Sequence, residues 1–153
     1  MVKITSLQKK DLKEFAFLIK KLDDFHQKLD SLYKGGTFKE RFFYCKKLFP
    51  KKNVKIFVAW DQKKIIGFLI AKIKKTKYFF KPRFIGIISR IFVENDFRKK
   101  GIGMRLVEKA LEWFKKRKIK FVEVVCHSKN KKALNFWKKL GFVEFTKKFK
   151  KEI

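Results

Sequence analysis

One stretch constrains the fold more than any other. An apolar run from Ile85 to Val93 leads into a polar turn, Glu94-Asn95-Asp96-Phe97-Arg98-Lys99-Lys100. Two closely spaced glycines, Gly101 and Gly103, then open an amphipathic segment. A run this apolar fits a strand in the middle of a sheet covered on both faces. Beyond the glycines, Met104, Val107, Ala110, Leu111 and Phe114 recur at three-and-four spacing, which predicts a helix from about Gly101 to Lys118 with one buried face. A strand that turns into a helix through glycines brings unpaired backbone N–H groups together at the positive end of the helix dipole. Such a turn suits an anion, and Gly101 and Gly103 let a phosphate approach the main chain without a Cβ in the way. The spacing is that of neither a dinucleotide fold nor a P-loop. A diphosphate on this turn is the functional expectation; a plain strand-to-helix connection is the alternative.

The rest of the chain alternates in type. Val2-Lys3-Ile4-Thr5 predicts a first strand, and Leu12, Phe15, Phe17, Leu18, Leu22 and Leu29 predict a helix from Asp11 to about Tyr33. Gly35-Gly36 breaks that pattern, and Thr37 caps a second helix that runs through Leu48 before Pro50. Val54–Trp60 and Lys64–Ile73 read as a hairpin around Asp61-Gln62-Lys63, with Gly67 marking a bulge or a close approach. Lys74 to Phe84 is a basic, aromatic loop expected at the mouth of a cleft. Phe121 to Cys126 is another strand, Ser128 or Asn130 opens a last helix that Gly141 ends, and Phe142 to Lys150 is a final strand or pair of strands. No repeat or linker interrupts the pattern, so 1–153 reads as a single domain.

Composition narrows the function classes. With 46% hydrophobic residues and 20 Phe in 153 residues, the chain is long and apolar enough for a proper core. No run is long and apolar enough for a membrane span, the start lacks a signal peptide's apolar block, and a cytoplasmic location is expected. Cys45 and Cys126 are isolated, so reduced thiols and no metal are expected. The formal charge of +29 makes nucleic acid a candidate partner. Lysines spread along the whole chain favour solvated faces instead. Asp11, Glu14, Asp23, Asp24, Asp30 and Glu40 gather in the first two helices, either as partners for neighbouring lysines or as an acidic wall that receives a cationic amine.

Two motifs in order give the chain a family likeness. Arg98-Lys99-Lys100-Gly101-Ile102-Gly103 matches R/Q-x-x-G-x-G/A, and Asn130 to Phe142 (NKKALNFWKKLGF) is similar to N-x-x-A-x-x-F-Y-x-x-x-G-F. With the hairpin and the opening strand, the sequence resembles the GNAT superfamily of acetyl-CoA-dependent N-acetyltransferases over nearly its full length. The resemblance implies an α/β (α+β) fold. Its mixed, mainly antiparallel central sheet would have six to seven strands and about four flanking helices, with two strands splayed into a V. It further implies that a bulged fourth strand offers Ile91, Phe92 and Val93 to the pantetheine arm. Arg98, Lys99, Lys100, Gly101, Ile102, Gly103 and Met104 would hold the diphosphate, Asn130 would bond the pantetheine region and Phe136 would pack against it.

The implied reaction moves an acetyl group from acetyl-CoA to a primary amine: a protein N-terminus, a lysine, a polyamine or another small amine. The amine must lose a proton before it attacks, and an acid helps the thiolate to leave. Glu94 is the expected base, with His127 as another option, and Arg90 could meet an anionic group on the acceptor. Trp137 stands where the family usually carries its acid, a Tyr, and an indole N–H donates a hydrogen bond without giving up its proton. Tyr78, unaided departure or solvent are the remaining sources of that help. No metal is implied, and a monomer or homodimer is expected. The alternative reading is a CoA-binding or nucleic-acid-associated module with weak or lost catalysis.

Overall fold

The architecture grows from a meander. In the computed structural model, which describes residues 1–153, β1 (Lys3–Ser6), β2 (Val54–Asp61), β3 (Lys64–Lys75) and β4 (Phe84–Val93) pair antiparallel in sequence order, and β5 (Val122–Val124) joins β4 in parallel. Helices α1 (Leu12–Leu29) and α2 (Phe38–Leu48) precede β2, α3 (Ile102–Lys116) crosses from β4 to β5, and α4 (Lys131–Lys139) follows. The sheet is therefore mixed, mainly antiparallel and flanked by four helices, as expected, but it has five strands.

The shortfall lies at the chain's end. Phe142 to Lys150 forms no strand, and Val143, Phe145 and Phe149 are exposed. Phe142 is drawn to α4 instead. Its N–H donates to the Trp137 carbonyl at 3.1 Å, and the Gly141 N–H donates to that of Lys138 at 3.0 Å, with Gly141 at φ 84°. That pair of bonds is a Schellman cap, and the contact of Phe142 with Trp137 completes it. β5 also stops at Val124, short of the expected Cys126.

Each sheet face buries a core. On β3, Ile65, Phe68 and Ile70 pack with Phe15 and Ile19 of α1, while Ile66, Leu69 and Ala71 pack with Leu106, Phe114 and Trp137 on the other side. Burial on both faces explains why β3 and β4 read as continuous apolar runs. Gly67 serves both expected purposes. Ile66 has no counterpart on β2, a bulge next to Gly67, and a Cβ on Gly67 would stand 2.9 Å from the Phe92 carbonyl oxygen. On α3 the buried stripe is Ile102, Leu106, Val107, Ala110 and Phe114, whereas Met104 and Leu111 are 45% and 39% exposed. Ile102 starts the stripe because it plugs the core right after Gly101.

Candidate functional site: the turn into α3 and the open half of β4

The bulge in β4 lies earlier than expected. Arg90 pairs with Ile70 and Ile88 with Ala71, which leaves Ser89 without a counterpart; its hydroxyl donates to the Ile70 carbonyl at 3.4 Å. The Ser89-Arg90 pair interrupting the apolar run was the sequence signal for it. Pairing with β5 ends at Ile88, so Ser89 to Val93 have no strand on that side. The Glu94 N–H donates to the Ile66 carbonyl at 2.8 Å. Counting back through the antiparallel alternation, Ile91 and Val93 turn their N–H and C=O groups away from β3, into the gap where β4 and β5 part. Phe92 instead pairs inward with Phe68, its side chain buried.

A 3-10 turn, Asn95–Phe97, and the residues after it carry the chain from that gap into α3. Arg98 ties the turn to the strand: its Nε donates to the Val93 carbonyl at 2.8 Å, and its guanidinium lies over the Phe92 ring. Lys99 and Gly101 have φ of 60° and 74°, and these left-handed residues fold the main chain tightly ahead of the helix. The N–H groups of Lys99, Lys100, Gly101, Ile102, Gly103 and Met104 have no acceptor from backbone or side chain; the first helical bond comes from Arg105, to the Gly101 carbonyl at 3.1 Å. Six consecutive free donors at the positive end of a 15-residue helix make a strong anion site. Phe25, Asn95, Arg98, Lys99 and Lys132 line a hollow beside this turn. Phe25 and Lys132 carry no motif, and only the packing of α1 and α4 brings them here.

Helix α4 forms the far wall. Asn130 caps it, its Oδ1 accepting from the Ala133 N–H at 3.1 Å, which leaves the side-chain amide N–H donors free. The Phe136 ring lies where a Cβ on Gly103 would point, 3.3 Å from that position, so Gly103 lets α3 and α4 close together. Trp137 is buried in the core between Phe136 and Phe142, not in the gap.

The Acetyltransferase (GNAT) family model matches residues 20–142. The chain belongs to the GNAT family. An uncharacterized N-acetyltransferase of Methanocaldococcus jannaschii is 32% identical over 134 residues, 80% of this chain and 57% of that protein. One from Archaeoglobus fulgidus is 32% identical over 96 residues, 61% of this chain and 63% of its own length. This GNAT chain thus spans less than two thirds of the length of either relative. Among solved structures, the aminoglycoside N-acetyltransferase AAC(6')-Iy in complex with CoA has a TM-score of 0.84, covering 100% of this chain and 95% of that one at 18% identity. A mutant BH1408 protein of Bacillus halodurans reaches 0.90, covering 99% of both chains at 18% identity. At such identities the likeness is one of fold.

Around this GNAT scaffold the remaining polar residues are mostly engaged. Glu94 is ion-paired with Lys21 of α1. Asp23 is buried between Arg41 and Arg90, Asp24 pairs with Lys20, Glu40 closes the α2 cap, and Glu14 accepts from the Ile65 N–H at 2.7 Å. Five of the six acidic residues expected as a wall, Glu14, Asp23, Asp24, Asp30 and Glu40, are therefore structural partners, Asp11 has no side-chain partner, and Arg90 is held by Asp23. His127 accepts from the Lys129 N–H through Nδ1 at 3.1 Å, which puts its proton on Nε2, donating to Asp30 at 2.9 Å. Burial pushes the Cys45 thiol up to about 12 and raises that of Cys126. Tyr78 sits in the loop at the opposite end of β4 from Glu94, separated by a 10-residue strand, about 30 Å of extended chain. The loop does not reach the gap, because it closes the other end of the β3–β4 hairpin.

Proposed function

We propose that this chain is an acyltransferase that moves an acetyl group from acetyl-CoA to a primary amine. The observation that carries the reading is the run of six free N–H groups from Lys99 to Met104 beside the uncovered half of β4. In this reading those donors hold the diphosphate, Lys99 and Lys100 add point charge, and Arg98 fixes the turn. Ile91 offers its N–H and C=O, and Val93 its N–H, to the amide-bearing arm, with the Asn130 amide and the Phe136 ring on the opposite wall. When bound, the thioester supplies an activated acyl group. The protein positions it and polarises its carbonyl with a backbone N–H.

Glu94 ends β4 at the gap and is the proposed proton acceptor for the incoming ammonium, a role that requires its carboxylate to leave Lys21. Buried Trp137 gives no proton to the departing thiolate, which leaves by way of solvent. That burial also favours a second reading, a CoA-binding module without turnover. Free-thiol release from acetyl-CoA, followed with a panel of N-terminal peptides, lysine peptides and polyamines, decides between them. Release with at least one amine supports transfer; CoA binding with no release across the panel supports the second reading. The protein is read as cytoplasmic, a monomer or homodimer.

A further inference from the structure

At the end of the sheet opposite the gap, the fold gathers charge that the sequence scatters. The β3–β4 hairpin loop and the segment from the end of α3 into β5 lie side by side there, joined by the Gly86 N–H donating to the Phe121 carbonyl at 2.9 Å. Residues 74–84 hold five Lys or Arg and no carboxylate, and residues 115–121 hold another five and none, all exposed. Glu112, one turn back on α3, is paired with Lys109. Three rings stand among these cations: Tyr78 is 99% exposed, Phe79 61% and Phe80 43%. The loop that presents them is built. Thr76 donates to the Arg83 carbonyl at 3.0 Å, and the Phe80 N–H donates to that of Lys77 at 3.1 Å. Neighbouring rings are inclined at 84° and 38° rather than stacked flat, and Lys77 Nζ lies 5.8 Å over the Phe79 ring, so Tyr78 offers the most open surface to an outside partner.

From this juxtaposition we infer that the basic, aromatic pole binds single-stranded nucleic acid, its lysines and arginines on the phosphates and its exposed rings stacked with bases. Exposed rings set in a cationic track are what sequence-tolerant single-strand binding requires. An anionic membrane surface is the competing partner, because Lys77 and Lys81 on either side of the rings can reach headgroups while the rings insert, and the vesicle arm of the test separates the two. A duplex keeps its bases stacked and offers the rings nothing. The pole is also separate from the turn at α3, so this binding is independent of acetyl transfer.

The test is fluorescence anisotropy of the whole chain with a labelled single-stranded oligouridylate of about twelve residues at about 0.15 M salt. Binding is expected, with affinity falling as salt rises. Replacing Tyr78→Ala and Phe79→Ala together should weaken it about tenfold or more. The pair Lys77→Ala and Lys81→Ala should reduce the slope of log affinity against log salt by about 1.4, two phosphates at about 0.7 each. Replacing Lys63 and Lys64, in the hairpin turn at the other end of the sheet, by alanine removes equal charge and should leave the affinity within about twofold. The inference is overturned if the ring variant binds like the unchanged protein, since net charge alone would then be responsible. It is overturned equally if phosphatidylserine vesicles are bound and the oligonucleotide is not.

Discussion

Gly103 illustrates how one residue's role shifts once its surroundings are known. Its motif position suggests a gap for phosphate, yet its missing Cβ points at the Phe136 ring. Gly103→Val should therefore act by displacing Phe136 and prising α4 from α3, weakening CoA binding about tenfold, or ~1.4 kcal/mol. Calorimetry on the Gly103→Val, Phe136→Ala double variant separates the causes. Partial recovery of affinity is expected if Phe136 is displaced; no recovery means that the valine itself fills phosphate space. Gly101 differs, with a φ of 74° and open space around it, so backbone conformation rather than room demands glycine there.

Among the elements, β2, β3, β4 and α2 were legible because each is a long periodic or apolar segment bounded by strong signals. Helix α2 is the plainest case. The Thr37 side chain accepts from the Glu40 N–H at 3.2 Å, and the Glu40 carboxylate accepts from the Thr37 N–H at 2.8 Å, a complete capping box. Thr37→Ala should cost about 1 kcal/mol in urea unfolding while leaving CoA affinity unchanged, because α2 packs on the opposite face of the sheet from α3. Unchanged stability would show that the box contributes nothing. What stayed hidden has physical causes. A final strand or pair of strands was expected over Phe142 to Lys150, but the Schellman cap takes Phe142 and no strand of the sheet pairs with the lysine-rich remainder. Lys132 and Phe25 reach the site through tertiary packing, which no local pattern encodes. Glu94 and Glu14 have partners 73 and 51 residues away, beyond the reach of spacing arguments, whereas Asp24 pairs with Lys20 at the i,i+4 spacing that the sequence shows.

At the scale of the whole molecule, acid should weaken the fold in two stages. Burial lowers the His26 pKa below its ordinary 6.5, so the native state binds fewer protons there than the unfolded chain. Stability linked to His26 is present above pH 6.5 and is lost as pH falls below it. Asp30 is held down to about 2, first by the Leu32 N–H and then by His127, so its contribution persists above the ordinary carboxylate range and disappears between about pH 4 and 2. Urea midpoints measured from pH 8 to 2 should fall through both windows, and Asp30→Asn should flatten the lower one; an unchanged lower slope would remove Asp30 from the account. The account as a whole rests on amides left free between β4 and α3. Titrating the 15N-labelled protein with CoA tests this directly. The N–H signals of Lys99 to Met104, with those of Ile91 and Val93, should move most and saturate together. Saturable binding that leaves those signals in place and shifts others would contradict it.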